Sequence, residues 1–529
     1  MEQGFDMDVS TKRRRTWFRS GAVVAALAMA GSGVLLALSP ATSGAASTPI
    51  GAYTTKDAWS FLSVPTLHPP KLKSDRKSAR GKLAKGDFLV ANFPNVDLPG
   101  PMEGQSGPLI LNSSLQPVWF KALPTDVVAL DLKQQTYEGK QVLSWWQGVV
   151  TNTGATVTGT VVVVDQHYRT VAKLVGKDGW VISPHDVAIS GHDAWVTSYR
   201  VLKHVDLSAY GGAKDGTLYD FGIQEYDLES GRLLYTWDAY KRVSLADSYQ
   251  APPPKPTVPW DAYHGNSVQL VRGGKFLVSM RNTWAVYMVD KKTSDIAWTL
   301  GGKSSTFTIP SKARFEWQHD VMLSSGGVLT AFDDNCCEIS SSGTLGTPGG
   351  SAKGLVLKLD VKRHTAKLLH SYLHGADFDV AFTGSLQRLP NGNVLVGWGS
   401  KPYFSEYSKD GRMLLDAVLP GKDLSYRALF TADWVGKPDD RPTGTARKAH
   451  GKATVYASWN GATQVASWRV LAGRTAGHMT TVAKKAKSGF ETAIHLRHSY
   501  KLFKVQALDA KGHVLRTSEA FMVPTAGYY

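Results

Sequence analysis

Cysteine is scarce in this sequence: among 529 residues there are two, the neighbours Cys336 and Cys337. Two adjacent cysteines do not by themselves make a metal site. A bridge between neighbours is strained and rare; two free thiols and a bond to another chain are the alternatives to it. We interpret the pair as structural, with its bonding open at this stage.

Long apolar runs are also scarce, and one of 18 residues lies near the N-terminus at 21–38. The basic stretch KRRRTWFR precedes it, and small residues with a cleavage point near Ala45 or Ala46 follow it. This order predicts an export signal over residues 1–46. An uncleaved N-terminal membrane anchor is the alternative, because 18 apolar residues can span a bilayer. Either reading predicts a secreted or extracytoplasmic protein, and the lack of a nearby cysteine excludes a lipoprotein.

Acidic residues are few towards the C-terminus. Residues 441–529 carry fourteen Lys and Arg against three Asp and Glu, and so hold most of the formal net charge of +16. Outside a cell, a basic surface meets lipid head groups or anionic cell-wall polymers before it meets nucleic acid. We therefore expect membrane or cell-wall contact and no nucleic-acid partner. A Lys-rich face that keeps the protein soluble is the alternative.

What the sequence does contain is a repeated unit of four short strands. The clearest copy, at 264–302, reads HGNSVQLV, KFLVSMRNT, VYMVDKKTSD and IAWTLGG, and the next copy starts at His319. Six copies recur 48 to 70 residues apart, with turns at Asn112, Asp165, Asp227, Asp290, Asp360 and Ser408. Such repeats are typical of propeller blades, because a four-stranded sheet cannot cover both of its own faces. The sequence predicts an all-β protein with a six-bladed β-propeller over 47–440; a multi-sheet sandwich is the alternative.

The two ends of the predicted propeller suggest how it closes. The first unit lacks a His-led strand of its own, so we expect residues 423–436 to pair beside 87–95. The polar segment 441–452 predicts a linker. Short alternating strands over 453–529 then predict a small immunoglobulin- or fibronectin-like β-sandwich.

Three consecutive units begin their first strand with histidine, at His185, His264 and His319, and the sixth begins with Thr383. In a propeller the first strands line the central channel, so these imidazoles should converge. Strand alternation sends the following residue, Asp186 or Asp320, away from the channel. We therefore interpret the two aspartates as strand anchors rather than as partners of the histidines.

Arginine and aromatic residues accompany the histidines. Arg281 ends the second strand of the unit that His264 begins, and Arg200 has the corresponding place one unit earlier. Three histidines can bind zinc, but a permanent cation repels a metal ion and matches a tetrahedral oxyanion. The set predicts a site for a sulfate or phosphate group, without a metal, flanked by rings such as Trp317 and Tyr403 that suit an aryl ligand.

These residues lie in motifs that resemble a known family. The stretches YHGNSV, SMRNT, WTLGGKSSTF, ARFEWQHD and FDDN within 260–335 closely resemble the aryl-sulfate sulfotransferases. The resemblance extends over most of 50–440 and is similar to the actinobacterial branch. It implies a six-bladed propeller, which agrees with the count of repeats.

The resemblance also implies a reaction. A sulfuryl group would pass from a small-molecule aryl sulfate donor to a phenolic acceptor through a sulfohistidine, with no nucleotide sulfate donor and no cofactor. The nucleophile falls on His319, while His264, Arg281 and His185 match the supporting residues of the channel. Which of His264 and His185 acts as general acid and base stays open. We expect four further residues to bind substrate: Arg200, Trp317, Tyr403 and Thr383.

Two departures from the family limit what carries over. The best-known members carry an N-terminal sandwich associated with dimerisation, whereas the predicted sandwich is C-terminal here, so the oligomeric state is not predicted. The cysteines are adjacent rather than separated. Because a fold hosts many functions, a propeller that binds sulfated ligands without reaction and an aryl-sulfate hydrolase are the alternatives. The sequence does not name the physiological donor or acceptor.

Overall fold

The computed structural model describes residues 52–75, 82–95, 100–150, 156–337, 350–375 and 378–524. Within these ranges the protein is all-β, and its helical elements are five short 3-10 turns. No helix among the described residues is long and apolar enough to cross a membrane. The predicted signal or anchor at 1–46 lies outside the described residues. The turns are η1 (Ser208–Tyr210), η2 (Leu245–Asp247), η3 (Arg281–Thr283), η4 (Ser311–Ala313) and η5 (Pro420–Lys422).

The first sheet follows a short N-terminal segment that contains β1 (Tyr53–Thr54) and β2 (Lys73–Asp75). The sheet itself is built on β3 (Asp87–Phe93), β5 (Gly107–Leu111) and β6 (Pro117–Phe120). Between them, β4 (Met102–Glu103) pairs in parallel with β1. The five residues of β5 are all buried, as expected of a strand covered on both faces.

Sheets two to five each contain four strands in consecutive chain order. Sheet two has β7 (Val128–Tyr137), β8 (Lys140–Val150), β9 (Thr156–Val164) and β10 (Thr170–Leu174). Sheet three has β11 (Val181–Ser190), β12 (Asp193–Val205), β13 (Gly216–Asp227) and β14 (Leu233–Asp238). Sheet four has β15 (Gly265–Val271), β16 (Lys275–Met280), β17 (Ala285–Asp290) and β18 (Ile296–Gly301). Sheet five has β19 (His319–Ser324), β20 (Val328–Asp333), β21 (Lys353–Asp360) and β22 (Thr365–Leu373).

Sheet six and the closing segment bring the chain back to its start. Sheet six has β23 (Ser385–Arg388), β24 (Val394–Gly397), β25 (Tyr403–Tyr407) and β26 (Met413–Val418), and β2 adds to its outer edge. The closing segment consists of β27 (Leu424–Ser425) and β28 (Leu429–Thr431), both of which pair with β3. The predicted pairing of 423–436 beside 87–95 is confirmed.

Six hydrophobic clusters lie between successive sheets. Each cluster consists mainly of residues of two neighbouring sheets, and the pairs run one–two, two–three, three–four, four–five, five–six and six–one. Phe88 of sheet one, for example, packs against Phe404 of sheet six with ring centroids 5.2 Å apart. Each sheet thus covers the faces of its neighbours, giving a β-propeller-like arrangement.

Glutamine side chains join the first strands of neighbouring sheets. Gln135 of sheet two accepts from Ile189 N at 2.8 Å and donates to Val187 O at 3.2 Å in sheet three. Gln269 makes the same pair of bonds with Leu323 of sheet five. Gln387 makes it with Phe430 of the closing segment. These bonds satisfy edge groups that an unpaired strand would leave open.

The C-terminal residues form two further sheets. One holds β29 (Thr443–Ala449), β30 (Lys452–Ser458) and β33 (Glu491–Leu496); the other holds β31 (Ser467–Thr475), β32 (His478–Ala486), β34 (Leu502–Leu508) and β35 (Val514–Thr517). Val455, Trp468 and Phe503 belong to a single buried cluster shared by both. The predicted linker at 441–452 is wrong, because most of it is the strand β29.

The C-terminal sheets contact the start of the chain. Asn460 Oδ1 accepts from Phe120 N at 3.0 Å, and its Nδ2 donates to Phe120 O at 2.8 Å. The Glu491 carboxylate accepts from Leu62 N at 3.2 Å and from Ser63 N at 2.6 Å. These directed bonds fix the C-terminal sheets against sheet one and the N-terminal segment.

Candidate active site

The first strands of sheets three, four and five bring three histidines to one place. His185 lies within β11, His264 directly precedes β15, and His319 begins β19. The rings of His185 and His264 meet edge to face with centroids 4.9 Å apart. Both rings are also close enough to His319 to contribute to its lowered pKa. The three predicted imidazoles therefore form one group, which we call the histidine cluster.

His319 is the most deeply buried member of the histidine cluster, with 1 % of its surface exposed. Its Nδ1 lies 3.1 Å from Trp317 O and 3.0 Å from Asp334 Oδ2. A carbonyl oxygen can only accept a hydrogen bond, so the ring proton belongs on Nδ1 and the lone pair on Nε2. Burial, with the nearby charge of Arg281, lowers the pKa of His319 well below 6.5. The ring is therefore neutral at neutral pH.

His264 is held by a carboxylate. Asp261 accepts from His264 N at 3.0 Å through Oδ1, and its Oδ2 lies 2.5 Å from His264 Nδ1. The turn WDAYH permits this contact because His264 adopts a left-handed conformation with φ of 48°. The ring is partly exposed, unlike that of His319. An oriented, accessible imidazole beside a carboxylate can exchange protons with a ligand.

His185 has different surroundings. Its Nδ1 makes a close contact with Ser183 Oγ, and its ring lies edge to face with that of Tyr426, 5.8 Å away. Burial lowers the pKa of His185 well below 6.5, and His264 adds to the effect. It therefore joins the histidine cluster as a neutral ring with no carboxylate on its Nδ1.

Arg281 supplies positive charge beside His319. It begins η3, and its N donates to His264 O at 2.9 Å. The guanidinium lies 4.6 Å from the centre of the Trp317 ring, and its Nη2 donates to Ala381 O at 3.0 Å. Its Nε lacks a hydrogen-bond partner within the described residues and is 4.0 Å from Asp334 Oδ2. A buried, unpaired N–H of this kind suits an anionic ligand.

The two cysteines are bonded to each other. Cys336 and Cys337 form a disulfide, so the alternatives of free thiols and an intermolecular bond are wrong. Cys336 Sγ lies 3.7 Å from Arg281 Nη2 and 3.3 Å from Ala381 O. The bridge packs with Trp317 behind the guanidinium.

Of the residues predicted to bind substrate, Trp317 contacts His319 through its carbonyl oxygen, and Thr383 lies two residues after Ala381, whose carbonyl accepts from Arg281. Trp317 is fully buried beneath Arg281, so it supports the guanidinium rather than offering an open face. Thr383 precedes β23 with φ of 65°, and its buried Oγ1 lacks a partner among the described residues. His264, Trp317 and Thr383 each have left-handed backbone, a conformation that fourteen other non-glycine residues of the described ranges also adopt.

Arg200 does not join the histidine cluster. Its guanidinium binds Asp220 at 3.0 Å and Asp238 at 2.7 Å and stacks on Trp180. It does not have the position of Arg281, because η3 follows directly on β16, whereas β12 continues to Val205. Its predicted equivalence to Arg281 is therefore wrong.

Tyr403 also lies elsewhere, in sheet six. Its ring packs against His374 at 4.8 Å and Phe378 at 5.9 Å. It belongs to the hydrophobic cluster between sheets five and six. The structure does not bring it together with the three histidines.

The two aspartates that follow histidines were predicted to turn away from the centre, and this is wrong. Asp186 Oδ1 lies 3.2 Å from Arg427 Nη1, and Asp320 Oδ1 lies 3.5 Å from Arg427 Nε, between the first strands. Irregular register after Ile182 and after His319 breaks the strict alternation of side chains. Their predicted role as anchors fits these contacts.

Sequence reasoning missed Asp261, Asp334, Tyr426 and Arg427. Asp261 could have been found three residues before His264 in WDAYH, and Asp334 in FDDN after a buried strand. No signal marks Arg427, which lies in the closing segment. Among the described residues, no group of His, Cys, Asp and Glu is arranged to hold a metal ion.

The sequence from 133 to 419 matches the family model for arylsulfotransferases. This range runs from within β7 of sheet two to the end of β26 in sheet six, and it includes every member of the histidine cluster. The chain belongs to the arylsulfotransferase family. Membership supports a sulfotransferase enzyme that takes a small aryl donor and a phenolic acceptor.

Comparison with other known proteins adds little. No curated protein matches this member of the family. A Bacteroides caccae protein of unknown function is 11% identical with a TM-score of 0.37, covering 66% of this chain and 100% of its own. The GH43 protein BlXynB from Bacillus licheniformis is 10% identical with a TM-score of 0.30, covering 74% and 89%. Both similarities are too weak to bear on function.

Proposed function

We propose that this protein transfers a sulfuryl group from an aryl sulfate to a phenol in two steps through a sulfohistidine at His319. The observation that carries the proposal is the state of His319. It is a buried, neutral ring whose Nδ1 faces a carbonyl oxygen, next to the unpaired Nε of Arg281. A lone pair and an anion-binding N–H are therefore available side by side.

In the first step, His319 Nε2 attacks the sulfur of the donor. An N–S bond forms, the S–O bond to the aryl group breaks, and the electron pair leaves on the phenolate oxygen. Asp334 faces Nδ1. Burial raises the pKa of this carboxyl well above 3.8 against the effect of Arg281, and the positive charge that the ring acquires would favour its ionised, stabilising form. Arg281 would bind the sulfuryl oxygens as charge moves onto the leaving group, and the Thr383 hydroxyl would donate to the same oxygens.

We assign the general acid and base to His264 rather than to His185. The Asp261 carboxylate contacts His264 Nδ1 and can orient this ring for proton transfer. The Nδ1 of His185 contacts a hydroxyl instead. His264 would give a proton to the departing phenolate and take one from the acceptor phenol in the second step. The acceptor oxygen then attacks sulfur, the N–S bond breaks, and neutral His319 is regenerated.

We propose a wider setting for the reaction. The cycle of six hydrophobic clusters supports a closed six-bladed propeller, and the two C-terminal sheets support an immunoglobulin- or fibronectin-like sandwich. The N-terminal sequence supports export, with the protein secreted or held at a membrane. The excess of Lys and Arg after residue 441 supports contact with an anionic membrane or cell-wall surface.

Release of nitrophenol from 4-nitrophenyl sulfate, with and without added phenol, tests the reaction class. Transfer requires that catalytic release depend on phenol. Release at the same rate in buffer alone would identify a hydrolase, and binding of the donor without any release would identify a binding protein.

Intact-mass analysis after brief exposure to donor tests the covalent step. The wild type should gain one sulfuryl group, and phenol should remove it. His319→Ala should gain none, while the matched control His204→Ala, at an exposed histidine, should behave as the wild type. A sulfuryl adduct that persists in His319→Ala would contradict the assignment.

A further inference from the structure

Arg427 lies at the meeting point of four sheets. Its Nη1 binds Asp131 Oδ1 at 3.0 Å in sheet two and Asp186 Oδ1 at 3.2 Å in sheet three. Its Nη2 donates to Asn266 O of sheet four at 3.0 Å, and its Nε lies 3.5 Å from Asp320 of sheet five. The side chain is buried and comes from the closing segment, which belongs to sheet one.

Three of these partners lie next to the histidine cluster in sequence. Asp186 follows His185, Asp320 follows His319, and Asn266 is two residues after His264. A planar guanidinium presents five donors in fixed directions. One group thus contacts all three of the strands that carry or follow the histidines.

Opposite charges hold Arg427 and the carboxylates around it together. Burial would raise the pKa of Asp186, but Arg427 and Lys133 outweigh it and hold the pKa at about 2. Burial raises the pKa of Asp131 to about 6 against the same two cations. A buried cation shared by several carboxylates is costly to remove, because its partners would be left unpaired.

We propose that Arg427 is a positioning residue that fixes the spacing of His185, His264 and His319. Its role in catalysis rests on the proposed sulfuryl transfer, but its role in geometry does not. A misplacement of about 1 Å costs a reaction about 100-fold. The closing segment would therefore complete the active site as well as the fold.

Histidine ring signals in ¹H–¹⁵N NMR spectra test the geometry without any reaction. Arg427→Met should shift the ring signals of all three cluster histidines. Arg242→Met is the matched control, because Arg242 also joins two sheets, through Ser294 O and Asp238 O, outside the cluster. Unmoved cluster signals in folded Arg427→Met, or equal shifts in both variants, would overturn the proposal.

Kinetics test the consequence for transfer. Arg427→Met should lower kcat by about 100-fold with little change in KM, since binding groups stay while alignment is lost. Arg242→Met should lower the melting temperature only. A wild type without transfer activity would refute the proposed function and leave the NMR result to decide on Arg427.

Two more conservative variants allow the same NMR measurement if Arg427→Met does not fold. Arg427→Lys retains the charge but cannot reach four sheets from one nitrogen. Asp320→Asn weakens the contact of Arg427 beside His319 and keeps an oxygen that can accept from Leu386 N. The contacts of Arg427 with Asp186 and Asn266 stay, so the His319 signal should move more than that of His185. Wild-type ring signals in folded Arg427→Lys and Asp320→Asn would overturn the proposal.

Discussion

At the scale of single residues, the neutral state of His319 has a measurable consequence. Burial lowers its pKa well below 6.5. The lone pair that attacks sulfur is therefore present at pH values where an exposed imidazole would already be protonated. We predict that the single-turnover rate of adduct formation from 4-nitrophenyl sulfate changes little between pH 7.5 and pH 5.5. A rate that falls as the pH is lowered, with a midpoint near pH 6.5, would show that the pKa of His319 is that of an exposed imidazole.

The Asp261–His264 pair predicts a dependence on the leaving group. Asp261→Asn should slow transfer from a donor with a basic phenol by about 100-fold, because that phenolate needs a proton to leave. Transfer from 4-nitrophenyl sulfate should change much less. Asp215→Asn is the control, since Asp215 holds the exposed His204 at 2.9 Å. Equal slowing of both donors in Asp261→Asn would argue for a structural role.

Sequence patterns predicted the histidines better than their partners. His185, His264 and His319 have equivalent places in the repeated sequence unit, and equivalent places in successive sheets lie close together, although only His319 is the first residue of its strand. Asp334 follows the second strand of sheet five and Arg427 lies beyond the sixth repeat, so no shared register links them to the histidines. Contacts between sheets also depend on the direction in which each side chain points. The irregular register after His319 changes that direction for Asp320.

At the scale of elements, the pairing of β28 with β3 depends on Gly86. A Cβ at Gly86, where φ is 152°, would lie 2.2 Å from Thr431 O. We predict that Gly86→Ala lowers the free energy of unfolding by about 2 to 4 kcal/mol. Gly139→Ala is the control, because its Cβ would meet nothing within 4 Å and should cost only about 1 kcal/mol of backbone strain. Urea denaturation compares the two.

Asp423, just before β27, predicts a pH effect on the closing segment. Burial raises its pKa from 3.8 to about 8, so the folded state binds a proton that the unfolded state lacks between these values. Stability should therefore fall as pH rises through this window. Asp423→Asn should remove this pH dependence. Relative to wild type, its free energy of unfolding should be higher at pH 8 than at pH 5 by on the order of a few kcal/mol. Thermal melts of both proteins at pH 5 and pH 8 measure this change. An unchanged difference in melting temperature between the two pH values would show that the Asp423 carboxyl is ionised at both.

Strands were predictable where apolar residues and turns repeat, and less so elsewhere. All four strands of sheet four appear where the pattern indicated. The polar composition of 441–452 hid β29, because that strand has one buried side chain, Ala446, and lies at the edge of its sheet. Composition alone does not separate an exposed edge strand from a linker.

At the scale of the whole molecule, Asn460 couples the C-terminal sheets to sheet one. Asn460→Ala would leave both backbone groups of Phe120 unpaired, and we predict a loss of about 2 kcal/mol in the free energy of unfolding. Gln464→Ala, at an exposed amide nearby, should have almost no effect. Denaturant unfolding measures both, and an unchanged midpoint for Asn460→Ala would show that the contact is dispensable.

The closing segment has a consequence for biosynthesis. The strands β27 and β28 pair with β3, more than 330 positions earlier, and the segment between them places Arg427 against Asp186, the neighbour of His185. A ribosome adds amino acids in order, so the nascent polypeptide has every histidine of the cluster long before it has the guanidinium that aligns them. Chains that end before residue 427 would have the three histidines but no transfer activity. The active site would therefore be completed among the last steps of folding.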